Sequence, residues 1–97
     1  MPKAYWIVRV LVRDEQRYPE YLAAAAPAFQ KFGAKFIVRG GAYQAMEGHA
    51  RERNVVVEFE DRSTASACYQ SAEYQHARTI RQKYADADFI IIDGTAD

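Results

Sequence analysis

Cysteine is almost absent from this chain, and that scarcity excludes several kinds of site. Cys68 is the only cysteine among 97 residues. No disulfide can therefore form within one copy, and no CxxC pair can bind a metal or carry out thiol exchange. So little cysteine is typical of a reducing compartment. We therefore expect a cytoplasmic protein.

An excess of charge of one sign is also absent. Thirteen basic residues balance thirteen acidic ones, which gives a formal net charge of zero. The chain lacks the broad positive field that draws proteins to nucleic acid or to anionic membranes. Its third apolar run also carries Glu58 where an RNA-binding sheet of this size places a stacking aromatic ring. We expect neither a nucleic-acid partner nor a membrane partner.

Long hydrophobic runs and glycine-rich phosphate loops are missing as well. The apolar stretch Tyr5–Val12 is interrupted by Arg9 and is too short for a membrane span or the core of a signal peptide. Neither GxGxxG nor GxxxxGK[ST] occurs, and no cluster of metal-ligating residues is visible. We therefore expect a protein that works without a cofactor or a metal.

The composition is that of a globular domain. Apolar residues make up 49% of the chain, which includes seven tyrosines and five phenylalanines. A chain of this length buries roughly 60 to 65% of its unfolded surface and can fold without disulfides. We expect one domain spanning residues 1–97.

Hydrophobic periodicity predicts the order of the elements. Alternating apolar residues predict strands over 5–12, 34–39, 53–60 and 89–93, with a short extended piece over 43–46. A spacing of three and four residues predicts a helix over 14–32, with a kink or break near 24–26 caused by Pro27. A second helical region begins near Ser63 and restarts at Ser71.

The order β-α-β-β-α-β is the split βαβ arrangement of the ferredoxin-like fold, an α+β class. It predicts a four-stranded antiparallel sheet with strands one and three in the centre and both helices on one face. The other face then exposes apolar side chains, including Ile7, Leu11 and Val56. Monomers rarely tolerate such a patch. We expect a homodimer formed by packing sheet against sheet.

Three charged residues interrupt the apolar strands and form the first candidate site. Alternation places Arg9 and Glu58 on the open face, and Arg39 is expected to join them. One interpretation is a structural ion pair inside the dimer. The other is the polar floor of a pocket, in which an arginine binds a carboxylate or enolate and Glu58 acts as general base.

Two further residues are candidates. His76 lies on the second helical region, and histidine is the commonest general base at neutral pH. Tyr69 lies just before the expected helix break at Ser71 and could line a pocket.

Several segments together resemble one bacterial family, the domain-of-unknown-function family numbered 1330. They combine an RGG strand end, an NVVxEF strand and a YxSxEYQ helix, and lie at 5–6, 36–41, 47–48, 53–59 and 68–75. The resemblance runs from Tyr5 to Gly94. One departure is Ala72, which stands where the family often has proline after the serine.

The resemblance implies a dimeric α+β barrel, in which two ferredoxin-like subunits face their sheets around a cavity. It implies no established activity. Related families in the superfamily include cofactor-independent monooxygenases, lactone isomerases and haem-degrading enzymes, whose catalytic residues differ from family to family. None of those residues can be transferred to this sequence, so the resemblance raises the expectation of small-molecule chemistry only.

The sequence therefore leaves two functions open. In the first, a homodimeric barrel binds a small anionic or enolisable molecule and acts as a cofactor-free isomerase, decarboxylase or oxygenase. In the second, the chain is a non-catalytic dimerisation or interaction module whose buried ion pairs are structural. The sequence does not decide whether the protein is an enzyme.

Overall fold

The computed structural model describes residues 2–96, which form one sheet covered by helices on one face. The elements in this part of the chain follow the predicted order, with the second helical region divided in two. They are β1 (Ala4–Val12), α1 (Tyr18–Lys31), β2 (Lys35–Arg39), β3 (Arg53–Phe59), α2 (Arg62–Gln70), α3 (Ala72–Tyr84) and β4 (Ala85–Asp93).

The strands pair antiparallel in the order β2-β3-β1-β4. β1 and β3 are therefore the central strands, and the predicted α+β, ferredoxin-like arrangement is confirmed. β1 pairs with β4 along its whole length, from Ala4 opposite Asp93 to Val12 opposite Ala85. β4 begins four residues earlier than the apolar run at Phe89 suggested, because this pairing extends over its polar first half.

Alternation along β1 and β3 separates a buried face from an open face. Trp6, Val8 and Val10 of β1 are buried, as are the alternate residues Val55, Val57 and Phe59 of β3. The residues between them point to the open side, where Ile7 lies opposite Val56 and Ile90. The predicted assignment of faces in these two central strands is confirmed.

Trp6 is the centre of the core between the sheet and the helices. Its side chain is buried, and its indole N–H donates to the backbone oxygen of Ala65 at 3.0 Å. Five aromatic rings lie with their centroids 4.8 to 6.2 Å from the indole: Phe29, Phe59, Tyr69, Tyr74 and Phe89. The core thus joins β1, β3 and β4 to all three helices.

Side-chain caps fix where the last two helices begin. The Asp61 carboxylate accepts from the backbone N–H of Thr64 at 2.8 Å and caps α2. This hydrogen bond stabilises the ionised form and holds the pKa of Asp61 below its usual value. The Ser71 hydroxyl accepts from the N–H of Tyr74 at 3.1 Å and caps α3. The predicted restart at Ser71 is therefore confirmed, with Ala72 as the first residue of α3.

The predicted break in α1 and the predicted extended piece over 43–46 are not observed. α1 continues unbroken from Tyr18 to Lys31 although Pro27 lies inside it. The proline deprives the carbonyl of Ala23 of its helical donor. Both residues lie on the exposed side of the helix, where water can satisfy that carbonyl. Residues 43–46, expected to be extended, belong to an exposed connection without regular structure.

Cys68 is buried, and its thiol lies 3.8 Å from the backbone oxygen of Ala28. Burial, with a smaller contribution from the Glu73 carboxylate, raises the pKa of the Cys68 thiol to about 12. The thiolate is the reactive form. We therefore expect the native protein to resist Ellman's reagent at pH 8 and to react fully in denaturant. Rapid labelling of the native protein would show that this part of the core is open.

No helix in residues 2–96 is both long enough and apolar enough to cross a membrane.

Candidate functional site

A buried arginine is the most unusual feature of the interior. Arg81 lies in the last turn of α3, and only 6% of its surface is exposed. Its guanidinium lies 5.8 Å from the centre of the Tyr21 ring and 5.7 Å from that of Phe89. Its Nη1 donates to the Tyr74 hydroxyl at 2.9 Å. The side chain is thus held between α1, α3 and β4.

The charge of this arginine is not balanced by a carboxylate within residues 2–96. No carboxylate in residues 2–96 forms an ion pair with Arg81, and the ion pairs that do form there involve other, more exposed cations. A guanidinium stays protonated in proteins, so it cannot escape burial by losing its proton. A buried, unpaired charge is costly unless a partner of opposite charge is supplied. The site therefore suits an external anion.

Three tyrosines surround this charge. The Tyr21 and Tyr74 hydroxyls lie 2.9 Å apart. Burial raises the pKa of both, and it raises the pKa of Tyr18, where the charges of Arg53 and Arg81 oppose the effect. All three hydroxyls therefore stay protonated near neutral pH. When Tyr74 donates to Tyr21, the Tyr21 proton can be donated to a further oxygen.

A small cavity of about 30 Å³ lies under α1, against the buried face of the sheet. We call it the α1 cavity. Its polar lining consists of Arg53, Arg81, Tyr18 and Tyr21. Apolar side chains form the other walls: Trp6, Val8, Val10, Leu22, Phe29, Phe36, Val55 and Val57. The cavity thus combines two cations and two hydroxyl donors with apolar surroundings.

A wider cleft of about 330 Å³ lies at the surface beside this cavity. Tyr18 and Arg53 line both spaces. The cleft, which we call the outer cleft, is completed by Val12, Glu15, Pro19, Gly40 and Glu52. Tyr18 and Arg53 therefore lie where the two spaces are nearest to each other.

The predicted charges Arg9 and Glu58 lie on the open face but not beside each other. Arg9 stands opposite Asn54, whereas Glu58 stands opposite Tyr5, four residues away along β1. Arg9 donates to the backbone oxygen of His49 at 2.8 Å. Glu58 forms its ion pair with Lys3 at 3.5 Å. The register therefore separates the two charges that were expected to form a pair or a shared pocket.

Arg39 does not join that face, so its expected placement was wrong. The pairing of β2 with β3 shifts between Phe36 and Val38, which marks a β-bulge. After the bulge, Arg39 stands opposite Val55, a residue of the helix-covered face. Its guanidinium lies 4.0 Å from the centre of the Phe36 ring. One extra residue in the strand thus moved Arg39 to the other side of the sheet.

The other predicted site residues also lie outside the α1 cavity lining. Tyr69 packs against the rings of Trp6, Tyr74 and Phe89 in the core. His76 is exposed on α3. Their roles in ligand binding and catalysis remain predictions.

Sequence patterns that the predictions did not use place Arg81 and Arg53 toward the interior. Arg81 follows Tyr74 and Ala77 at spacings of seven and four, which places it on the buried stripe of α3. Arg53 precedes Val55 by two residues, so strand alternation directs it toward the helices. In both cases, an arginine at a position where the pattern predicts an apolar residue indicated a buried charge.

No group of three or more His, Cys, Asp or Glu side chains in residues 2–96 is arranged to hold a metal.

Comparisons with known proteins fit this fold. The family model described as "Domain of unknown function (DUF1330)" matches residues 3–95. A protein of unknown function from Rhodopseudomonas palustris superposes with a TM-score of 0.79 at 15% identity, over 99% of this chain and 85% of that one. A comparison with the curated proteins found no match.

Two other solved structures are similar at lower identity. SnoaB, a cofactor-independent oxygenase from Streptomyces nogalater, gives a TM-score of 0.64 at 8% identity, over 100% of this chain and 97% of that one. A dimeric protein of unknown function with a ferredoxin-like fold from Bacteroides fragilis gives 0.58 at 12% identity, over 95% and 96%. At these identities the likeness shows a shared fold alone.

Proposed function

Because the chain belongs to the DUF1330 family, whose description assigns no activity, we propose a function from the site itself: the protein binds a small organic carboxylate in the α1 cavity. The proposal keeps the expected ligand class, a small anionic molecule. It moves the binding site from the open face of the sheet to the space between the sheet and the helices.

Arg81 is the single observation that carries this proposal. It is a buried cation without an acidic partner in the described part of the chain, and it is oriented by the Tyr74 hydroxyl. A carboxylate would supply the missing charge and accept from the guanidinium, the strong form of hydrogen bond in proteins. The buried Tyr21 hydroxyl adds a neutral donor at the same end of the cavity.

Size and charge narrow the ligand class. A cavity of about 30 Å³ holds roughly two water-sized groups, which corresponds to the two oxygens of one carboxylate. The body of the ligand would then lie in the outer cleft. Glu15 and Glu52 line that cleft, and their charges disfavour a second anionic group there. We therefore propose a monocarboxylate.

The chemistry available to this site is mainly that of binding and charge stabilisation. A guanidinium and a protonated tyrosine can stabilise an enolate oxygen as well as a carboxylate. The two predicted general bases, Glu58 and His76, do not line the α1 cavity. The similarity to a cofactor-independent oxygenase makes oxygenase chemistry one candidate, beside isomerase and decarboxylase chemistry. The proposal commits to binding.

A thermal-shift series with benzoate, phenylacetate and butyrate tests this proposal, with the corresponding amides as neutral controls. A ligand at 100 times its dissociation constant adds about 2.7 kcal/mol of stability, or roughly 10 to 20 °C in Tm for a domain of this size. We expect at least one of the acids to raise Tm and its amide to have no effect. Phthalate, with a second carboxylate, should bind more weakly than benzoate.

Arg81→Met and Arg9→Met form the matched pair for calorimetry with benzoate. The first removes the buried cation, and the second removes an arginine from the open face. We expect Arg81→Met to abolish binding while leaving the free energy of unfolding unchanged or higher, since a buried unpaired charge is removed. Arg9→Met should bind normally. Equal binding by both variants, or no binding of any acid by the wild type at millimolar concentration, would refute the proposal.

We also propose that the open face of the sheet is covered by a second copy of the chain. Large apolar residues remain exposed across this face: Leu11, Ile37, Val38, Ile90 and Ile92. A similar protein from Bacteroides fragilis is described as dimeric. If dimerisation were the whole function, the protein would be the non-catalytic module considered as the alternative, and no carboxylate would bind. The cytoplasmic location remains a prediction.

A further inference from the structure

Gly40 stands where the chain leaves β2, and a side chain at this position would displace the guanidinium of Arg53. Its φ is +68°, a left-handed conformation that favours glycine. Its backbone N–H donates to the oxygen of Asn54 at 2.8 Å, which ties it to the start of β3. A Cβ at this position would lie 2.6 Å from Nη1 and 3.2 Å from Cζ of Arg53. Because Gly40 has no side chain, the Arg53 guanidinium can lie in this space.

Arg53 is placed between the two spaces described above. It lines the α1 cavity and the outer cleft. Its guanidinium lies 5.6 Å from the centre of the Tyr18 ring. Its Nε is buried and has no hydrogen-bond partner, and no carboxylate in residues 2–96 forms an ion pair with it. Among the described residues, Arg53 is therefore a second cation without an acidic partner at the same site.

We propose that Arg53 is a second ligand-binding residue, located where the α1 cavity meets the outer cleft, and that Gly40 is the positioning residue that sets its guanidinium there. The ligand carboxylate would then lie between Arg53 and Arg81. This inference rests on the proposed function, since it assigns two more residues to the same site. It also gives a physical reason for the RGG strand end: the first of its two glycines makes room for Arg53.

The neighbouring glycine provides a matched control. In the described part of the chain, no atom outside its chain neighbours lies within 4 Å of a Cβ built on Gly41, and Gly41 does not adopt a positive φ. Gly40→Ala and Gly41→Ala therefore add the same methyl group one residue apart. Only the first should disturb Arg53.

A double-mutant cycle with benzoate as the probe tests whether Gly40 acts through Arg53. Hydrogen bonds to charged groups contribute about 1.5 to 3 kcal/mol, so Arg53→Met is expected to weaken benzoate binding about 10- to 100-fold. Gly40→Ala should weaken it at least about 5-fold by displacing the guanidinium, and Gly41→Ala should have no effect. In the Arg53→Met background, Gly40→Ala should cause no further loss of affinity, because its target is gone.

If Gly40→Ala only strains the backbone at its positive φ, it should lower stability equally in the wild type and in Arg53→Met. The cycle therefore distinguishes backbone strain from an effect on the position of Arg53. If Gly40→Ala does not fold, Gly40→Asn serves instead, since asparagine tolerates a positive φ and still introduces a Cβ. Normal binding by Arg53→Met, equal losses from the two glycine variants, or additive losses in the cycle would each overturn this inference. Binding that requires Arg81 but neither Arg53 nor Gly40 would leave the proposed function intact. If the wild type does not bind benzoate, both the proposed function and this inference are wrong.

Discussion

Replacing Trp6 by alanine is expected to lower the free energy of unfolding by about 3 to 5 kcal/mol, the usual cost of deleting a large buried aromatic side chain. Trp6 is buried at the centre of the core and is surrounded by five aromatic rings. The substitution also removes the hydrogen bond from the indole N–H to the backbone oxygen of Ala65. Native proteins are stable by only about 5 to 15 kcal/mol, so this loss is a large part of the total.

Urea denaturation followed by circular dichroism measures this effect. Circular dichroism is needed because Trp6 is the only tryptophan, so its fluorescence is lost with it. Trp6→Phe keeps a ring in the core and should cost clearly less than Trp6→Ala. An alanine variant whose stability stays within 1 kcal/mol of wild type, about the error of such a comparison, would contradict the arrangement of the core.

Replacing Ile90 by glutamate is expected to dissociate the proposed dimer. Ile90 is 54% exposed and lies opposite Ile7 in the middle of the open face. In a twofold dimer the substitution introduces one buried carboxylate from each copy. Each buried, unpaired charge costs several kcal/mol, so the dimer dissociation constant should rise more than about 100-fold.

Analytical ultracentrifugation over a range of concentrations gives this result directly. Ala23→Glu places the same charge on the exposed side of α1 and should leave the dimer unchanged. The Ile90→Glu monomer should keep its native circular dichroism spectrum, because the helix-covered core is not altered. A wild-type protein that is monomeric throughout, or an Ile90→Glu variant that remains dimeric, would rule out this interface.

The fold could be predicted from the sequence because its main patterns are local. Alternation in β1 and β3 fixed which side chains face the helices, and Ser71 marked the start of α3. Features that depend on other parts of the chain were harder to foresee. β4 begins four residues earlier than predicted because those residues pair with β1. α1 continues past Pro27 because the carbonyl of Ala23, which loses its helical donor, lies on the exposed side of the helix.

The candidate site was harder to predict because it depends on register and on contacts between distant elements. The bulge in β2 carried Arg39 to the other face, and the pairing of β1 with β3 left Arg9 and Glu58 apart. The cavity instead brings together Arg53 of β3, Arg81 of α3 and Tyr21 of α1. Tyr21 and Arg81 are buried, and Arg53 is half-buried on the helix-covered face of β3. Their proximity appears only when the helices are placed on the sheet.

A crystal structure of the wild-type protein with bound benzoate would show directly whether the α1 cavity binds a carboxylate. We expect a benzoate carboxylate within hydrogen-bonding distance of the Arg81 guanidinium in the α1 cavity, with the ring directed into the outer cleft. Benzoate bound on the open face of the sheet beside Arg9 or Glu58, with the α1 cavity lacking it, would show that the α1 cavity is not the binding site.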